Sequence, residues 1–216
     1  MSRLLRIPTP THGRVLVEAA DRPKGLLVGF HGYAEIAEIQ LARLIALRGA
    51  NAWTCVSIEA LHPFYRGRSQ DVVSSWMTRR DRDEAIAENV HYVNAAIDAV
   101  AAEGQPARLV VAGFSQGVAM AFRAAVLGRR AAHGVIAVGG GIPPELAADE
   151  TTRFPPSIFV RGARDEWYTE ALLAADVATL EQRHVPVQHV TFDGGHEWAK
   201  DAAQAAARFL SSVQDF

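Results

Sequence analysis

Gly113-Phe114-Ser115-Gln116-Gly117 is the segment best equipped for chemistry. An apolar run, Arg108 to Ala112, leads into it and a helix-like run, Val118 to Leu127, leaves it, so Ser115 is expected on a sharp strand-to-helix turn. Such a turn strains the serine backbone and crowds the positions two residues to either side, where any side chain would meet the neighbouring strand or helix. Glycine at both positions relieves those contacts. A hydroxyl held this way is a candidate nucleophile, and it needs a base to take its proton and a third group to orient that base.

In an open parallel sheet these partners must lie at the carboxyl ends of strands, where ligand crevices form. Gly162-Ala163-Arg164-Asp165 follows one predicted strand, and Asp193-Gly194-Gly195-His196-Glu197-Trp198 follows another. The chain order Ser115, Asp165, His196 is that of the α/β-hydrolases. In these roles His196 takes the serine proton and returns it to the leaving group, while Asp165 fixes the imidazole tautomer and stabilises its cation. His31 and His189 are the rival bases; the first is placed to brace its own loop and the second lies inside a predicted strand. Glu166 and Asp193 are the rival acids, Asp193 being also a natural turn-former ahead of two glycines. For the oxyanion, His31-Gly32-Tyr33 follows the strand ending at Phe30, so the backbone N–H of Tyr33 can share a crevice with that of Gln116, the residue after the nucleophile.

The elements that must position these groups alternate between short apolar runs and longer helical patterns. Val15 to Val17, Leu26 to Phe30, Ala52 to Ile58, Arg108 to Ala112, Gly134 to Val138, Ser157 to Arg161 and Val187 to Phe192 have strand character. Helical spacing marks Glu35 to Arg48, closed by Gly49, and Asp81 to Val100, with Ile86, Val90, Val93, Ile97 and Val100 on one face. Between them Glu59 to Arg80 is expected to be a long loop, and loops of that length usually carry function. Near-continuous apolar strands alternating with helices predict a mostly parallel central sheet covered on both faces.

With 216 residues, 49% of them hydrophobic and 21% charged, the chain is long enough for one well-buried core and short for two, so residues 1–216 are expected to form one domain. A formal net charge of −2 gives no overall field toward nucleic acid or an anionic membrane, and catalysis or small-ligand binding fits better. Leu4, Leu5 and Ile7 make no long apolar stretch near the start, and no later run is long enough to span a bilayer; the expectation is a cytoplasmic protein. Cys55 is the only cysteine, which excludes an intrachain disulfide. No H-E-x-x-H, Cys/His cluster, P-loop or G-x-G-x-x-G follows a suitable strand, so metal and nucleotide chemistry lack support.

The set G-F-S-Q-G at 113–117, H-G-Y at 31–33, R-G-A-R-D at 161–165 and G-G-H-E at 194–197 resembles the phospholipase/carboxylesterase group of α/β-hydrolases, which includes the acyl-protein thioesterases. The likeness runs from about Gly25 to the C-terminal helix and takes in Ser75-Trp76 and Gly139-Gly140-Gly141-Ile142-Pro143. It implies an α/β-hydrolase fold with helices on both faces of the sheet and no large cap domain. It also implies a serine hydrolase of carboxylic esters or thioesters, with no metal or organic cofactor. Two departures stand out: Ala34 occupies a place where the family commonly has glycine, and Tyr168-Thr169 replaces the Val-Pro that often follows the acid. The first bears on the path of the loop, the second on the class of substrate.

Without a cap, an acyl pocket has to come from the loops. Phe64, Tyr65, Trp76 and Trp167 are the aromatic candidates for lining it, with simple packing over the sheet edge as the alternative for each. A shallow pocket would favour a small-molecule ester or thioester with a short or medium acyl group. Acyl transfer through the same triad, or a slow or noncatalytic binding module on the same fold, are the competing functions. The sequence is silent on oligomeric state.

Overall fold

The structure is a computed structural model that describes residues 2–104 and 107–213. In chain order its elements are β1 (Val15–Glu18), β2 (Leu26–Phe30), α1 (Ala37–Ile45), β3 (Thr54–Ile58), β4 (His62–Tyr65), β5 (Val72–Ser75) and α2 (Arg82–Ala102). There follow β6 (Leu109–Phe114), α3 (Gln116–Leu127), β7 (Gly134–Val138), α4 (Pro144–Ala148), β8 (Ser157–Gly162), α5 (Glu170–Gln182), β9 (Val187–Phe192) and α6 (Lys200–Ser212). Among the described residues the main sheet has seven strands in the order β1-β3-β2-β6-β7-β8-β9. β1 pairs antiparallel with β3 and every other pairing is parallel. This is the α/β-hydrolase architecture, with no large inserted cap domain.

The strands are apolar throughout because each feeds two cores. Leu26, Val28, Phe30, Val56 and Val111 point to a core completed by α2, α3 and α5. Their neighbours Leu27, Cys55, Val110 and Ala112 point to one completed by α1 and α6, as the period of two along a strand requires. Small residues on α6, Ala202, Ala205 and Ala206, are fully buried and let that helix lie close to the sheet. The sheet grows from β2 in both directions, toward β3 on one side and β6 on the other. That reversal opens a crevice beyond the carboxyl ends of β2 and β6, where His31 and Ser115 begin the next segments.

Several elements shift by a residue or two from the sequence expectation, and two differences bear on the site. Helix α1 starts at Ala37, not Glu35, because Glu35 is held extended in a β-bridge with Ser74. The stretch from Glu59 to Arg80 is not loop alone: β4 and β5 form an antiparallel hairpin, with Tyr65 paired to Val72 and His62 to Ser75. Each strand has only four residues, too few for alternation to register, and β4 keeps only Phe64 partly buried. Tertiary contact with the segment at Glu35 gives the hairpin its seat.

Candidate active site

Ser115 has the strained backbone its setting demands, with φ 52° and ψ −119°, and its own N–H is anchored to Val138 O at 2.9 Å. The flanking glycines are required by close approach. A Cβ on Gly117 would lie 2.1 Å from Phe30 O, and one on Gly113 would lie 2.5 Å from the backbone of Val118. No side chain fits at either position.

His196 Nε2 lies 2.8 Å from Ser115 Oγ, and His196 Nδ1 lies 2.8 Å from Asp165 Oδ2. The other carboxyl oxygen, Asp165 Oδ1, accepts the backbone N–H groups of Trp167 and Tyr168, both at 2.9 Å. The Asp165 side chain is almost fully buried, and His196 is about a fifth exposed. A carboxylate only accepts, so Nδ1 carries the proton and the Nε2 lone pair is left facing the serine hydroxyl. Elements from three separate parts of the chain thus converge: the turn into α3, the loop after β8 and the loop after β9.

The rivals are elsewhere. His31 is buried beneath the loop that follows β2, where Nδ1–H donates to Gly32 O at 2.8 Å and Nε2 accepts the Ala60 N–H at 3.1 Å. Burial pushes its pKa down, which keeps the ring neutral and in that bracing role. His189 lies exposed on β9. Asp193 faces solvent and pairs with Arg164, and Glu166 is exposed.

Gln116 follows Ser115 in the chain and Tyr33 lies in the loop after β2, and neither backbone N–H has a hydrogen-bond partner among the described residues. The Gln116 side chain is tied down: Oε1 accepts the Trp76 N–H and Nε2 donates to Met77 O, both at 3.0 Å. Those bonds fasten the segment after β5 to the turn at Ser115.

The aromatic candidates separate. Trp76 is fully buried, packs edge-on against Phe30 and donates its Nε1–H to His31 O at 2.9 Å. It braces the loop from below and offers no surface to a ligand, which corrects its assignment as a pocket residue. Phe64 packs against the exposed Tyr33 ring. Tyr65 and Trp167 are exposed, Trp167 by 80%. None of the four lines the groove that opens one helical turn along α3 from Ser115. That groove, about 270 Å³, is lined instead by Ala119, Gly141, Ile142, Tyr168, Leu172 and Asp176, among others. A larger hollow of about 860 Å³ lies away from Ser115, between residues 7–11 and α2.

Two charged residues sit at the site without any sequence signal for it. Glu35 and Arg43 are eight positions apart, a spacing with no contact along a regular helix. They meet because Glu35 precedes the helix and turns back over it.

The sequence model of the Phospholipase/Carboxylesterase family matches residues 14–214. The chain belongs to that family. Membership in the Phospholipase/Carboxylesterase family brings serine-hydrolase chemistry of the esterase type as its general class of reaction. A comparison with curated proteins by sequence gave no significant match. Solved structures similar to this family member include a Bacillus cereus carboxylesterase, with TM-score 0.72, 14% identity, and 93% of this chain and 94% of that one covered. Esterase PE8 is similar with TM-score 0.71 and 23% identity, over 93% and 98% of the two chains. Zea mays acyl-protein thioesterase 2 is similar with TM-score 0.70 and 16% identity, over 94% and 100%. At such identities these likenesses concern the fold. No helix among the described residues is long and apolar enough to cross a membrane.

Proposed function

We propose that the protein hydrolyses a carboxylic ester or thioester with a short or medium acyl group, through an acyl-enzyme on Ser115. The observation that carries this reading is the continuous hydrogen-bonded chain Ser115–His196–Asp165, with 2.8 Å at each link. Ser115 Oγ attacks the carbonyl carbon as its proton passes to His196 Nε2, and Asp165 stabilises the imidazolium that results. The tetrahedral oxyanion takes the N–H groups of Tyr33 and Gln116, which have no other hydrogen-bond partner among the described residues and so lose no bond when charge develops. Collapse expels the alcohol or thiol, which receives the proton from His196. Water then repeats the sequence on the acyl-serine, giving its proton to His196 and releasing the acid.

Size supports the acyl preference. The groove bordered by Ala119, four residues along α3 from Ser115, holds about 270 Å³, below the usual range of about 300–1,000 Å³ for small-molecule pockets; a long acyl chain seated there would leave much of its length in water. Each methylene that stays outside forfeits about 0.8 kcal/mol of burial. The test combines a fluorophosphonate probe with a panel of p-nitrophenyl esters and acyl thioesters from two to sixteen carbons. Labelling at Ser115, lost in Ser115→Ala, and a kcat/KM maximum at short or medium chains are expected. An unlabelled protein, or activity retained in Ser115→Ala, would remove the reading.

A further inference from the structure

Between β2 and α1 the chain follows a path that glycine would ordinarily supply. Ala34 has φ 58°, a left-handed conformation that is strained for a residue with a Cβ. Strain of this kind persists only where surrounding bonds over-determine it. Here the Ala34 N–H is held by Ser74 O at 3.1 Å, and Arg66 donates to Ala34 O from the hairpin. On the other side of Tyr33, the Gly32 N–H donates to Glu35 Oε2 at 2.8 Å. The peptide carrying the Tyr33 N–H is therefore bracketed by a fixed bond before it and another after it.

The β-bridge to Ser74 fixes the Glu35 backbone, and Arg43 holds its carboxylate. The guanidinium makes two parallel bonds to the carboxylate, both at 2.7 Å, and each side chain is only 17% exposed. Burial alone would push the Glu35 carboxyl up, but the Arg43 bonds and charge outweigh it and hold the group below its ordinary range, so it is a carboxylate at neutral pH. The same guanidinium lies over the Phe114 ring, 4.4 Å from its centroid, with the Trp198 ring 5.6 Å away. Phe114 in turn packs against the His196 ring, centroid to centroid 5.2 Å. One ion pair thus touches both the loop bearing Tyr33 and the seat of the imidazole.

We infer that the Glu35–Arg43 ion pair is a positioning unit for the reaction, aiming the Tyr33 N–H through Gly32 and fixing the His196 ring through Phe114. The inference rests on the acyl-enzyme reading of Ser115. A donor aimed at the oxyanion acts in the transition state more than in the bound substrate, so losing its aim lowers kcat and leaves KM nearly unchanged. A pair that only held the fold together would lower the melting temperature without that split.

The experiment compares wild type, Arg43→Met, Arg43→Lys, Glu35→Gln and the double variant Glu35→Gln/Arg43→Met on p-nitrophenyl butyrate. Rates are expressed per site titrated with the fluorophosphonate and measured well below each melting temperature. Arg43→Met and Glu35→Gln each strand a partly buried charge and lose stability; the double variant removes that imbalance and recovers it while the two-pronged clamp stays absent. In all four variants kcat should fall about 10- to 100-fold with KM within about twofold, a smaller loss than deleting an oxyanion donor outright. Lysine should not rescue, because it can supply neither the fork nor the flat face over Phe114. Wild-type kcat per titrated site in the double variant, rescue by Arg43→Lys, or parallel changes in kcat and KM would overturn the inference while leaving the acyl-enzyme reading intact. Failure of wild-type Ser115 to take the label would remove both.

Discussion

Asp165→Asn tests the candidate triad at its most constrained point. Asp165 receives three hydrogen bonds: two backbone N–H groups on Oδ1 and the imidazole on Oδ2. Asparagine has only one oxygen to offer. If that oxygen stays with Trp167 and Tyr168, its NH₂ group faces His196 Nδ1 and forces that nitrogen to accept, which moves the ring proton to Nε2. Nε2 then has no lone pair for the serine proton. If the amide flips to keep the productive tautomer, the buried Tyr168 N–H faces NH₂ instead, at about 1–3 kcal/mol, and so does the part-buried Trp167 N–H, at a smaller cost. Both costs hold the amide in the unproductive orientation. Acylation is therefore expected to slow by about 10³- to 10⁴-fold, roughly 4–5 kcal/mol in barrier, with substrate binding retained. Stopped-flow release of p-nitrophenol measures it, with Asp193→Asn as the control, since Asp193 is exposed and pairs with Arg164 rather than with His196. A loss under tenfold in Asp165→Asn, or a greater loss in Asp193→Asn, would refute the assignment of Asp165 as the orienting acid.

Asp176 should lower stability as pH rises. Burial pushes its carboxyl up to about 6, with the Tyr168 hydroxyl and Ile142 N–H offsetting only part of that. Between about 4 and 6 the folded protein keeps a proton that the unfolded chain has released, so its contribution is favourable below that window and is lost through it. Asp176→Asn can keep both bonds with the tyrosine hydroxyl reversed, and urea melts should show it more stable than wild type above pH 6 by about 1–2 kcal/mol, after allowance for partial exposure; equal stability at pH 8 would contradict this. Ser115→Gly should be about 1 kcal/mol more stable than Ser115→Ala, because both lack the hydroxyl but only glycine relieves φ 52°; equal melting curves would mean the turn is unstrained. Ala119→Leu adds bulk to the groove that Ala119 borders and should lower kcat/KM for hexanoyl esters at least tenfold while sparing acetyl esters, at about fourfold per excluded methylene; equal loss on both would place the acyl pocket elsewhere.

Much of the architecture was legible because it depends on local pattern. β2, β7 and β9 have the bounds that their apolar runs predict. The turn at Ser115 follows from glycines whose absent side chains are required by backbone two residues away, a constraint written into five consecutive positions. Ser115, Asp165 and His196 are candidates from chain order alone, since each follows a strand whose carboxyl end must face the crevice. Contacts between distant segments carried no such signature. Trp76 was assigned to a pocket because an aromatic residue in a presumed loop is expected to be accessible, yet the hairpin β4–β5 and the bonds from Gln116 place it beneath the site. Ile142, Leu172 and Asp176 border the groove because the ends of β7 and β8 bring α5 against the segment after β7, a matter of sheet order alone. Glu35 and Arg43 have unremarkable spacing, and their fork forms only once Ser74 pulls Glu35 out of the helix. Periodicity and turn chemistry act over a few residues and so can be read along the chain; where side chains of distant segments meet is set by the packing of layers, which exists only in three dimensions.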